Sequence, residues 1–399
     1  MVLVNRNFFL LWTGQLISQL GDRFYSIALA WWVLEKTNSP AIMGLFLAAS
    51  VLPELIFGLA AGGFIDRWNR KSILIVSDVF RGLTVLALAF LSALGYLEIW
   101  HIFMAGVIIS LSSAFFDPTV MAVIPKLVSQ EDLPRANSLS QMISGLATVA
   151  GPVLGATLVA LLGYKAVFII NGLSYLASAL LEAFITLHFT QSDAGEHQLL
   201  LKIKEGFKFI FDNKTVRIIL LVIGVVHIFY GSLAVAMPFL ASTITGSGIK
   251  NLGYLETAMG VGMILGAMVV GRQKLNHMRG GHLFMIILAA GLCFALLGAV
   301  NSLGIVVRGP YIGILLFIGM AASVASVYWR SLLQIHVPNE MAGRVFSVST
   351  MIADVSLPVS FVVFGFVLKG YSMTVTVTIC GLSLMIIGAA LLLKYRRLV

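Results

Sequence analysis

Charge is what this chain has least of. Lys, Arg, Asp and Glu together make up 11% of its 399 residues, against 59% hydrophobic residues. A soluble domain carries roughly 25% charged residues because its surface faces water. The shortage therefore excludes a water-soluble fold of this length. Cysteine is nearly absent too: Cys293 and Cys380 stand alone, each inside an apolar run. They offer no disulfide framework and no CxxC metal or redox motif, and read as small buried hydrophobes. No HExxH, GxSxG or P-loop occurs. Hydrolysis and ATP use have no residues to carry them, so no enzyme, metal or cofactor is expected. The first seven residues hold a single arginine and lead straight into a long apolar segment, which is expected to stay as a helix rather than be cleaved as a signal peptide.

Long apolar runs are abundant. About 20 such residues cross a bilayer as a helix. Breaks in the pattern place spans near 8–34, 40–65, 72–94, 100–124, 136–161 and 165–188, then near 216–241, 250–272, 282–300, 309–335, 341–367 and 372–394. Twelve spans put both termini on one side. Of the 26 Lys and Arg, 18 fall on that side, five on the other and three (Arg23, Arg81, Arg330) within helices. Basic loops stay in the cytoplasm, so both termini are expected inside an inner or plasma membrane. The formal charge of +9 thus reads as membrane topology. The expected partners are lipid and a small lipophilic substrate, with no nucleic acid, and a monomer is expected.

A shift of 209 residues brings the two halves into register. Arg135-Ala-Asn-Ser-Leu-Ser-Gln-Met-Ile143 meets Arg344-Val-Phe-Ser-Val-Ser-Thr-Met-Ile352 with five of nine positions identical, and Gly44, Ala49 and Gly62 meet Gly253, Ala258 and Gly271. Two parallel six-helix bundles are expected, residues 1–188 and 216–399, related by an axis along the membrane normal. Residues 189–215 form the connector. Its stretch from Leu199 to Phe211 mixes lysines with apolar residues, as suits a short helix lying on an anionic leaflet.

Two motifs carry a resemblance. After the second span the chain reads Gly62-Gly-Phe-Ile-Asp66-Arg67-Trp-Asn-Arg70-Lys71, and the fifth span holds Gly145-x5-Gly151-Pro152-Val-Leu-Gly155. The first resembles the loop signature of the major facilitator superfamily. The second is similar to that family's antiporter motif, with alanine at Ala156 in place of the last glycine. The resemblance implies a twelve-helix all-α transporter. It also implies a cytoplasmic latch of Asp66, Arg67, Arg70 and Lys71, with Asp117 as partner of Arg67 or Arg70. The matching loop of the second half, Gly271 to Arg279, lacks the aspartate. Gly21-Asp22-Arg23, Ala122-Val-Ile-Pro125 with Arg135-Ala-Asn137, and Val337-Pro338 with Gly343-Arg344 are similar to the macrolide-efflux branch of drug–proton antiporters. Topology-setting charge and a plain packing groove are the plainer readings of the two motifs.

Charges inside the spans need a reason, because each costs about 2.5–3.5 kcal/mol at the bilayer centre. Asp22 lies mid-span in the first helix, with Gln15, Ser18, Gln19 and Ser26 on its face. A carboxyl out of water holds its proton more readily, which suits reversible proton binding; a static pair with an arginine is the alternative. Glu54 follows Pro53 in the second span, and Asp354 precedes Pro358 in the eleventh. Both are candidate coupling or substrate carboxylates, with a salt bridge to Arg330 as the alternative. His227, mid-span in the seventh helix near Tyr230 and Gly231, suits a proton relay or a packing role. Arg81 three residues after Asp78 reads as a local ion pair, and Glu182 as a helix-end residue that reaches the interface.

The expected function is a proton-coupled exporter of lipophilic or amphipathic molecules working by alternating access. A lysophospholipid flippase or a siderophore or metabolite exporter shares the scaffold. A proton-coupled importer or a membrane sensor is a further alternative.

Overall fold

The computed structural model describes residues 4–187, 208–271 and 280–395; for residues 59, 60, 62, 63, 66, 67, 339 and 340 it describes the backbone alone. The expected amphipathic connector, with Lys202 and Lys204, falls mostly outside the described residues. So does the loop holding Arg272, Lys274 and Arg279.

Among the described residues the structure is built from twelve long helices: α1 Arg6–Thr37, α2 Pro40–Ala49, α3 Leu52–Arg67, α4 Arg70–Leu94, α5 Ile99–Leu127, α6 Leu133–Ala183, α7 Lys214–Thr243, α8 Gly248–Gly271, α9 Gly280–Ser302, α10 Arg308–His336, α11 Asn339–Gly370 and α12 Met373–Tyr395. Three depart from a one-helix, one-span correspondence. At 1.5 Å per residue, 51 residues of α6 would run about 77 Å, more than twice a hydrocarbon core of roughly 30 Å. Gly163 resolves this: its φ of 77° and ψ of 173° break the helix, leaving a fifth span before it and a sixth after. The second span is instead divided, into α2 and α3. Pro53 has no N–H to give the preceding turn, so the helix restarts at Leu52. Among the described residues, ten stretches are long and apolar enough to cross a membrane. Counting α6 twice gives eleven. The twelfth is α1, whose Gln15, Gln19, Asp22 and Arg23 lower its hydropathy.

Asparagine starts several of these helices. Asn5 accepts from Phe8 N at 2.9 Å, Asn69 from Lys71 N at 3.0 Å, and Asn213 from Thr215 N at 3.1 Å and Val216 N at 3.2 Å. Each satisfies backbone donors that a helix N-terminus leaves orphaned. At the other end, Asn38 (φ 44°) closes α1 and Gly95 (φ 76°) closes α4 in the left-handed region.

Contacts group the chain into two units: Met1–Asn38 with Phe46–Gly195, and Ser39–Leu45 with Glu196–Val399. In the first unit α1 and α4 pack on α6, and α3 on α5. In the second, α11 packs on α7, α12 on α9, and α8 on α10. Numbered by span, these are 1 with 5, 3 with 6 and 2 with 4, then 7 with 11, 9 with 12 and 8 with 10. The repeat in sequence is therefore a repeat in pairing. Small residues make the contacts close. A Cβ on Gly82 would lie 3.0 Å from Gly172 O, and one on Gly291 2.7 Å from Gly381 O. Association inside lipid depends on such packing, since apolar side chains gain nothing there by leaving water.

Candidate functional site

The centre of the first unit is polar, and α1 supplies one wall. Its glycines let α6 approach. A Cβ on Gly14 would meet Ser178 Oγ at 2.9 Å, and Gly21 faces Ser174 and Asn171. On the fifth span, Gly151 abuts Arg23, and a Cβ on Gly155 would lie 2.7 Å from Phe24 Cα. Gly145 has nothing within 4 Å, while Pro152 is buried. Two of the three motif glycines thus form the seat of α1, one turn from Asp22.

That approach puts the half-buried Asp22 within reach of the Tyr175 hydroxyl, which donates to its Oδ1. Tyr175 is itself buried, and the Arg81 guanidinium carbon lies 5.6 Å from its ring and 4.4 Å from that of Phe116. Arg81 Nη1 reaches Asp78 Oδ1 at 3.3 Å, and Nη2 donates to Ser113 Oγ at 2.8 Å. Its positive charge acts on Asp22 of α1, Asp78 of α4, Asp117 of α5 and Glu182 of α6. One guanidinium thus contacts Asp78 and acts electrostatically on three further carboxyls, four helices contributing in all. A planar, weakly hydrated cation flanked by aromatic faces tolerates this burial better than an ammonium.

The rest of the α1 stripe is not uniformly open. Gln15 and Ser18 are buried, with Ser18 Oγ donating to Gln15 O at 3.3 Å. Gln19 is half-buried and accepts from Ser144 Oγ at 3.4 Å; Ser26 is exposed. Glu54 stands at a helix start inside the second span. The break between α2 and α3 places it in the first turn of α3, where its N–H donates to Ser110 Oγ at 3.0 Å. A helix start favours a carboxylate, so this acid costs less than one in mid-helix.

Of the expected latch, the side chains of Gly62, Asp66 and Arg67 lie outside the described residues. Arg70 Nη1 donates to Ala122 O at 3.4 Å, and Lys71 Nζ to Ala183 O at 2.6 Å, capping the end of α6. Asp117 is exposed and has Arg81 as an electrostatic neighbour.

In the second unit the structure brings together two residues that sequence placed on separate helices. His227 of α7 and Asp354 of α11, both half-buried, act on one another electrostatically. His227 Nδ1 meets Ile223 O at 2.8 Å. A carbonyl can only accept, so Nδ1 carries the hydrogen and Nε2 lies outside this bond. Arg330, considered for Asp354, lies over Trp329 at 5.3 Å.

Sequence reasoning passed over Tyr175 and set Asp78, Arg81 and Glu182 aside. Glu182 does not reach the interface: it is 0% exposed. Its end of α6 is closed by Lys71 and by Ile185, which packs into a core with Phe8 and Leu11. A signal was there to read. Asn171, Ser174, Ser178 and Glu182 recur at helical spacing and mark a polar face on the sixth span.

Known proteins resemble the whole chain. It is 25% identical over 387 residues to the uncharacterized MFS-type transporter YfiS of Bacillus subtilis, covering 94% of this chain and 90% of that one. It is 23% identical over 362 residues to macrolide efflux protein A of Streptococcus pyogenes, covering 89% and 87%. The solved nucleoside transporter NupG superposes with a TM-score of 0.76 at 11% identity, over 98% of this chain and 100% of that one, which shows the fold. The model of the transmembrane secretion effector family matches residues 2–398, and the chain belongs to that family of multi-pass major facilitator transporters.

Proposed function

We propose that this transporter is a proton-coupled exporter of lipophilic or amphipathic small molecules, working by antiport. The observation that carries the reading is Asp22. Its half-buried carboxyl is held by Tyr175 and faced by the Arg81 charge within a polar run of α1. A carboxyl so placed can bind a proton in one state and release it in another, because its surroundings change when the helices around it move. His227 and Asp354 offer the second unit a similar pair. The efflux named for the Streptococcus pyogenes relative supports outward transport.

In this reading two six-helix bundles, residues 1–188 and 216–399, rock about a binding region in the bilayer. Proton and substrate compete, since a ligand shifts the equilibrium only through its differential affinity for the two states. The protein acts as a monomer in the cell membrane with both termini in the cytoplasm. It uses no cofactor beyond the proton and no nucleic-acid partner. The latch of Asp66, Arg67, Arg70, Lys71 and Asp117 gates the cytoplasmic side.

A lipid substrate is the second reading. Between α4 and α5 runs an apolar groove of about 1200 Å³, lined by Val76, Phe80, Leu83, Trp100, Met104 and Leu111 among others. Its chemistry suits an acyl chain. Dye-loaded proteoliposomes under an imposed pH gradient separate the two readings. Macrolides and lipophilic cations are expected to trigger proton flux that Asp22→Asn abolishes. Flux set off by lysophospholipids alone would select the flippase. Full coupling in Asp22→Asn would remove Asp22 from the mechanism.

A further inference from the structure

Asp78 and Glu182 sit where water does not reach. Both are 0% exposed, and Arg81, the cation set against them, is 4% exposed. Asp78 Oδ1 faces the guanidinium at 3.3 Å and Ser178 stands beside that carboxyl, but both oxygens of Glu182 have no hydrogen-bond partner. Two carboxylates against one guanidinium would leave a net negative charge in a dry site. A carboxylate with neither donors nor water is far more costly than a neutral acid there, so such a group takes up a proton instead. Two like charges in one site likewise favour a shared proton.

We propose that Asp78 and Glu182 hold one proton between them at neutral pH, forming with Arg81 a proton site separate from Asp22. The groups facing it come from four helices: Asp22 from α1, Arg81 from α4, Ser113 and Asp117 from α5, and Tyr175 and Ser178 from α6. Ser178 stands beside Asp78, one turn before Glu182 on α6. Glu182 carries the proton and Asp78 stays ionised against Arg81, because the guanidinium contact belongs to Asp78. Release of that proton adds a negative charge that draws Arg81 toward α6. Asp22 then loses part of the same positive field, so the two sites are linked through one cation. That consequence for transport rests on the exporter reading; the occupancy of the pair does not.

The test uses the full-length protein in lipid nanodiscs, with no substrate, so a protein silent in transport assays still answers it. Infrared spectra at neutral pH, in light and heavy water, report the carbonyl stretch of a protonated carboxyl in apolar surroundings. Wild type is expected to show that band, and E182Q to lose it. D22N should keep it. D78N should lose it too, since Glu182 then ionises against Arg81. Glutamine matches the protonated acid in shape, so E182Q should elute as a single folded species; if it does not, the D78N and D22N spectra decide. Absence of the band in wild type would overturn the proposal. So would its survival in E182Q, or its loss in D22N, which would place the proton on Asp22. Bleaching of the band on exchanging potassium for sodium would show a metal-cation site instead.

Discussion

Replacing Arg81 with methionine tests how the buried charges are balanced. The substitution keeps an unbranched apolar stem against Phe116 and Tyr175 but removes the cation 3.3 Å from Asp78 and the donor to Ser113. Asp78, 0% exposed, then takes up a proton rather than remain charged. In the unfolded chain the same group is ionised at pH 7. Holding it neutral therefore costs about 1.36 kcal/mol for each pH unit above roughly 3.9, or about 4 kcal/mol at pH 7 and about 1.5 kcal/mol at pH 5. Burying a guanidinium is itself costly, so its removal offsets part of this; that relief is the same at both pH values. The difference of about 2.7 kcal/mol is the robust quantity. R81M should be markedly less stable than wild type at pH 7 and recover much of the gap at pH 5. A thiol-reactive fluorophore reads unfolding through Cys380, which is 2% exposed, over a baseline from half-buried Cys293. The double variant R81M/D78N removes the stranded carboxyl and should regain most of the stability at pH 7. An R81M deficit that is equal at both pH values, or a double variant no better than the single, would refute the charge-balance argument.

Other substitutions probe different links. Gly155→Leu drives a side chain into Phe24 and should cost at least about 1–3 kcal/mol by overpacking, whereas Gly145→Ala, with open space around it, should be neutral or slightly stabilising; thermal melts of the pair check this. Asn213→Ala strips the cap from α7 and should cost about 1 kcal/mol, seen as a lower melting temperature without loss of transport. Tyr175→Phe deletes the hydroxyl that Asp22 accepts and should cost about 1.5–3 kcal/mol. In the Asp22→Asn background the same change should cost less, and equal costs in a double-mutant cycle would mean that the bond does no work.

Much of the fold is legible in sequence because lipid imposes it locally. A span must be apolar for about 20 residues and must close its backbone hydrogen bonds within itself. Run length, the bias of Lys and Arg between loops, and the 209-residue repeat therefore count the helices and pair the halves without tertiary information. Local chemistry also marks Asp22: an acid among Gln15, Ser18 and Gln19 on one helical face has no reason to lie against lipid. Where local rules mislead, a neighbour decides. Glu54 reads as interior to a continuous helix, and only the restart of the helix at Leu52 puts it at a helix start. His227 and Asp354 lie 127 positions apart, and nothing in the periodicity of either helix pairs them. Glu182 looks like an interfacial residue because it stands near a helix end. Whether that end reaches water depends on Lys71, 111 positions earlier, and on Ile185 entering a core with Phe8. Sequence by itself therefore determined the solvent, the number of spans, the repeat and the family. Tertiary structure alone decided which ionisable groups share Arg81, because burial and charge pairing depend on the register between helices, and that register is set by side chains far apart along the chain.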